Sequence, residues 1–186
     1  MNQDTGNQGK TTAHRIELNL KDMNQLFNTM DPSPFHERDL DRDAEEFIVS
    51  WAREFAISEP VTLVVHLSEL PKEREPQPLI EHAVQHYFEY RSRITVRDFK
   101  HLMRDGRQSL LIGLLFLAAC LTLSKLLAGQ APGTFLNLMR ESLSIAGWVA
   151  MWRPMEIYLY EWWPLRRRAK LFEKLSRMPV QVRKHE

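Results

Sequence analysis

Arg153 and Glu156 stand inside the apolar run from Ser142 to Trp163, where an ionised side chain is costly. A charge in hydrocarbon must face protein or a water-filled cavity. Pro154, between them, withholds an N–H from the carbonyl of Ala150 and leaves that acceptor open. Three chemistries fit such a pair. It can fix helix register as an ion pair, line an ion or proton path through an oligomer, or hold an anionic ligand or headgroup.

Other residue groups admit a chemical and a plainer reading. His82, His86 and Glu89 fall on one face of a helix, and histidines four apart can hold a metal. The order is not that of a zinc peptidase, and the edge of an amphipathic helix explains the same residues. Asp39, Asp41 and Asp43 resemble the start of a calcium loop, but Ala44 and Ser50 stand where that loop needs Gly and Glu. Carboxylates at a helix N-terminus account for them better. In the segment MDPSPFHERD, Asp31, Pro32, Pro34 and Phe35 form either a rigid turn or a docking loop for a partner. There is no phosphate-binding or dinucleotide glycine motif and no nucleophile elbow. The single cysteine, Cys120, lies in an apolar run. No enzyme, cofactor or resident metal is expected.

These groups must be carried by definable elements. Residues 1–13 are polar and read as disordered. His14–Leu20 alternates and reads as a half-buried strand. A loop follows, with Phe27, Met30 and Phe35 expected to plug onto the core. A helix over Leu40–Ile57 presents Leu40, Ala44, Phe47, Ile48, Trp51, Ala52 and Phe55 as its apolar stripe. Val61–Leu67 is β-branched and continuous, as expected of an inner parallel strand. A second helix from about Pro78 carries Leu79, Ile80, Ala83, Val84 and Tyr87, with a break near Ser92 and a restart at Thr95. The fold class is therefore α/β: a small β-α-β-α cytosolic domain over 14–94, joined to a transmembrane hairpin over 95–163. Two strands make too small a sheet. A third is expected from the loops or from a second subunit.

Ser109–Ser124 is uncharged, and the first span, about 108–128, is long enough to cross ~30 Å of hydrocarbon. The second span is placed at about 142–163. That register sets Trp162 and Trp163 at the headgroup layer and keeps Arg140 and Glu141 out of the core. The rival register, Phe135–Trp152, leaves Arg153 at the inner surface. Ser142, Ala146 and Ala150 recur every four residues, with Ser109 and Gly113 as a matching small face for helix packing. The basic amphipathic tail, 164–186, is expected to lie on the membrane through a helix over Leu165–Met178, with Leu165, Ala169, Phe172 and Leu175 on one side.

Charge is strongly segregated. Residues 1–90 carry a net of −9, residues 91–107 a net of +4 and residues 165–186 a net of +6. The basic collars flank the apolar spans, so anionic headgroups, not nucleic acid, are their expected partners. Arg166, Arg167 and Arg168 mark the cytoplasmic side, giving both termini a cytoplasmic location. Residues 1–13 lack the apolar segment of a signal peptide, so the first span is expected to serve as the signal anchor.

The segments MDPSPF, WRPMEIYLYEWWPLRRR and KLSRMPV resemble those of an uncharacterised family of small bacterial inner-membrane proteins with a cytosolic domain and two transmembrane helices. The resemblance implies a bacterial source and a two-span topology, and it transfers no activity and no catalytic residue. The chain thus reads as a homo-oligomeric inner-membrane anchor, adaptor or sensor whose cytosolic domain binds a protein partner. The alternatives are a small channel with Arg153 and Glu156 in its path, and an accessory subunit of a larger complex.

Overall fold

Alternation in HRIELNL makes β1, His14–Leu20, with Ile16 and Leu18 buried. The computed structural model describes residues 14–34, 38–69, 76–128 and 133–184. The chain divides into two units, Met1–Arg93 with Arg168–Glu186, and Ile94–Arg167.

In the first unit, β1 is followed by a 3-10 turn, Met23–Leu26, and by helix α1, Arg42–Glu54. Asp41 caps α1, its carboxylate accepting the Asp43 N–H at 3.0 Å, so the acidic run is a helix start. β2, Val61–Leu67, is buried along nearly its whole length. Helix α2 runs unbroken for 53 residues from Pro76 to Ala128. The expected break near Ser92 does not form, because nothing from Ser92 to Thr95 interrupts helical bonding: the run holds neither Gly nor Pro.

The sheet is three-stranded and parallel, in the order β1-β2-β3. β3 is Val180–Lys184, supplied by the chain's own tail. Ile16, Leu63 and Val180 form one row across the strands, and Leu18, Val65 and Val182 the next. Helix α5, Trp162–Leu175, precedes β3 and buries Ala169, Leu171, Phe172 and Leu175. The tail is therefore not a membrane-lying helix: Leu171, Phe172 and Leu175 join the core with Ile48, Leu63 and Phe88. A buried apolar face is satisfied equally by lipid or by protein, and here the sheet supplies the protein. Side chains tie the tail down as well. Gln85 Nε2 donates to the Met178 carbonyl at 3.1 Å and Lys174 Nζ to the Ala56 carbonyl at 2.8 Å. Burial lowers the Lys174 pKa.

The α1 stripe differs from its sequence reading. Ala44, Ile48, Val49 and Ala52 are buried, while Phe47 and Trp51 are 41% and 44% exposed. Phe27 is buried, Met30 stands 90% exposed, and Phe35 lies outside the described residues, as do residues 1–13.

In the second unit, α2 is the one described helix long and apolar enough to cross a membrane. The remaining run is not one regular helix. It comprises α3, Thr134–Ala150, then α4, Trp152–Glu156, then a π-helical turn, Ile157–Glu161, which leads into α5. The backbone stays right-handed helical at the joints, with φ/ψ of −82°/−9° at Met151 and −61°/−49° at Ile157. Pro154 explains the first change in hydrogen bonding, since it has no N–H to give Ala150.

Candidate functional site

In the second unit the chemistry gathers around Arg153. Its Nη1 donates to Glu156 Oε2 at 3.0 Å and also to Glu161 Oε1. Sequence reasoning found Arg153 and Glu156 and missed Glu161. Eight regular helical steps leave Glu161 about 80° from the Arg153 line. The π turn absorbs one extra residue, roughly 100° of rotation, and brings Glu161 almost back onto that line. No spacing rule for a regular helix reveals this. One guanidinium thus faces two carboxylates, a cluster one negative charge in excess.

Helix approach in this unit is set by glycines. A Cβ on Gly113 would lie 3.0 Å from the Ala150 carbonyl oxygen, the acceptor that Pro154 leaves open. A Cβ on Gly147 would meet Leu117 Cδ1 at 2.8 Å, and one on Gly106 would meet Ile157 Cγ2 at 2.9 Å. Gly113 and Ala150, both expected at packing faces, therefore meet within the chain. Ser109 is half-buried, whereas Ser142 and Ala146 are exposed. The face that packs is that of Gly147, because a glycine lets backbones come closer than serine or alanine allows. Trp162 Nε1 donates to the Tyr158 carbonyl at 2.7 Å, and Arg166 lies 5.9 Å from the Trp162 ring centre. Trp163, Arg166, Arg167 and Arg168 are exposed.

In the first unit, Glu45 on α1 is the centre of a network. Its Oε1 accepts from Arg91 Nε and Nη2 at 3.1 and 2.8 Å, and its Oε2 accepts from the Tyr87 hydroxyl at 2.7 Å. Burial, and then the Glu45 carboxylate, push the Tyr87 pKa well above its ordinary value. A phenol whose folded pKa is raised contributes stability that is full below the unfolded value of about 10 and is lost as pH rises beyond it. Tyr87→Phe is expected to flatten that alkaline decline, while costing roughly 1.5–3 kcal/mol at neutral pH for the lost charge-assisted bond. Urea midpoints measured from pH 7 to 11 on both proteins check this. Parallel declines would show that Tyr87 is not the group responsible.

The MDPSPF loop is closed at its base by the Phe27–Leu40 bridge and by the Asn28 N–H donating to the Asp39 carbonyl at 2.8 Å. Asp31 fastens it internally: Oδ1 accepts the Ser33 N–H at 2.9 Å and Oδ2 the Asp39 N–H at 2.8 Å. Those bonds, the one from Asp39 first, lower the Asp31 pKa, while burial and then the Asp31 charge raise that of Asp39. Pro32 and Pro34 are exposed. A cavity of 310 Å³ lies between this loop and α2, lined by Asp31, Ser33, Asp39, His86, Tyr87 and Tyr90. His82 and His86 stack with ring centres 6.4 Å apart, and Glu89 turns to Arg93 at 3.9 Å. No group of three metal-ligating side chains converges among the described residues.

The chain matches no protein-family model, no curated protein and no solved structure.

Proposed function

We propose that this chain is a non-catalytic, homo-oligomeric anchor or adaptor of the bacterial inner membrane, with two spans and a cytoplasmic α/β domain that binds a protein partner. One observation carries the reading. β2 and β3 are neighbours in one sheet, yet they lie on either side of the apolar segment in sequence. If α2 crosses the bilayer, the chain must cross again before β3 can pair, so the number of crossings is even. The exposed exteriors agree: Leu111, Ile112, Leu115 and Leu126 on α2, and Phe135, Ile145, Trp148 and Trp152 on the returning run. Exposed apolar surface on this scale is expected of helices solvated by lipid. The basic collars set the acidic domain on the cytoplasmic side.

The levels of the contacts support the second of the two registers. Gly147 packs at Leu117 and Cys120, Gly113 at Ala150, and Gly106 at Ile157. The uncharged run of α2 begins only after Arg107, so Ile157 falls outside it and Phe135–Trp152 is level with it. Arg153, Glu156 and Glu161 then belong at the inner margin, and Arg140 and Glu141 near the level of Lys125. Charges bonded to one another at a margin favour a structural role over an ion path. Ser142 and Ala146, which are exposed among the described residues, are the small-residue face left for a second copy.

Proteoliposomes carrying the full chain are expected to show no ion or proton flux above empty vesicles. Arg153→Ala, which strands two carboxylates, should reduce thermal stability, and Glu156→Gln should have less effect because Glu161 remains. Flux that changes with either substitution would replace this reading with that of a channel.

A further inference from the structure

We propose that a groove between α1, α2 and α5 is a binding site for a phosphate group. The groove has a volume of 340 Å³ and is lined by Arg42, Glu45, Glu46, Ser50, Arg53, Arg91 and Arg168, with Val49 at its floor. That is within the size range of small-ligand sites. Arg42, Glu45/Glu46, Val49/Ser50 and Arg53 fall at three- and four-residue steps, so they form one stripe of α1. Arg91 and Arg168 face that stripe from the other two helices.

The charge in this groove is unbalanced. Four arginines stand against two glutamates, and Glu45 already serves Arg91. Both its oxygens are occupied by Arg91 and Tyr87. Arg42, Arg53 and Arg168 have no ion pair among the described residues. Two of the guanidiniums are also held against the same aromatic ring. Arg91 lies 5.5 Å and Arg168 5.4 Å from the centre of Phe172, and Arg91 is 6.0 Å from that of Tyr87. The two guanidiniums repel each other; Glu45 offsets the charge of Arg91, and an anion beside Arg168 would offset the other. The planar guanidiniums of Arg42, Arg53 and Arg168 match phosphate oxygens two at a time. Phe172 is fully buried, so it sets Arg91 and Arg168 in position before any ligand arrives.

Either a phospholipid headgroup or a free phosphate ester has this chemistry. On α5, Arg168 follows Trp163 by five residues, about 7.5 Å of helix. The lipid source rests on the membrane reading above. The phosphate site does not.

The test is calorimetric titration of the full chain in neutral detergent at low salt, with glycerol 3-phosphate and with dihexanoyl phosphatidylglycerol. Saturable binding of at least one is expected, weakened about tenfold or more in Arg53→Gln/Arg168→Gln. Arg166→Gln/Arg167→Gln removes the same charge outside the groove and should leave the affinity within about twofold. Arg53→Gln alone removes no ring contact, so it reports on binding where the double variant loses stability. Tighter binding of the lipid than of glycerol 3-phosphate identifies a headgroup as the ligand, and equal binding identifies a free phosphate ester. No saturable binding of either, or equal loss in the Arg166/Arg167 variant, overturns the site.

Discussion

Phe172→Ala is expected to cost the first unit about 3–5 kcal/mol, a large share of the 5–15 kcal/mol that stabilises a typical domain. Phe172 is 1% exposed, and its ring centre lies 6.1 Å from that of Phe88 on α2, the two planes inclined by 27°. Removing it leaves a cavity among Phe88, Leu175 and the strand rows, and it releases the two arginines that it orients. The readout is hydrogen exchange at the β2 amides of the full chain in detergent, where protection should fall with the loss of global stability. Were the tail a helix lying on lipid, the substitution would weaken membrane association and leave β2 protection as it was. The measurement therefore separates the two fates of one amphipathic helix.

Gly113→Val is expected to produce the largest loss in the second unit. Its new side chain would press on the Ala150 carbonyl oxygen at 3.0 Å and on Met151 Sδ at 3.1 Å. Backbone cannot swing aside as a side-chain end can, so overpacking of roughly 1–3 kcal/mol should outweigh any gain in helix propensity. Gly147→Ala meets the end of a leucine side chain at 2.8 Å, which can rotate away, and should cost less. Gly133→Ala meets nothing within 4 Å and serves as the control. Thermal unfolding in neutral detergent ranks the three. An unchanged midpoint for Gly113→Val would mean that the helices do not approach at this point.

Local pattern accounts for much of the fold. Period-two alternation located β1, and the β-branched run of Val61–Leu67 located β2 and its inner position. The acids before α1 marked its capped start, and the uncharged run after Arg107 marked the helix that, among the described residues, passes as a membrane span. Each signal is carried by neighbours in sequence, so no knowledge of distant partners is needed. β3 was legible only faintly, in Val180 and Val182 alternating after Pro179, because five residues at a chain end carry little signal without the strand they join. Helix periodicity could likewise show that Phe172 and Leu175 share a face, but not what covers it.

The candidate sites divide in the same way. Arg153 and Glu156 stood out because charge is rare in an apolar run. Glu161 entered their cluster only through a π turn that alters the angular count. Glu45, Arg91 and Arg168 are 46 and 77 residues apart in turn, and each looks like an ordinary surface charge when read singly. The sequence by itself determined the segregation of charge, the apolar length of α2, the parallel βα pattern and the presence of charges within an apolar run, since all of these follow from local composition and period. Only the tertiary structure decided that the tail completes the sheet, that Gly147 sets the helix approach, and that four arginines share one groove. Those outcomes depend on burial and close contact between distant parts of the chain.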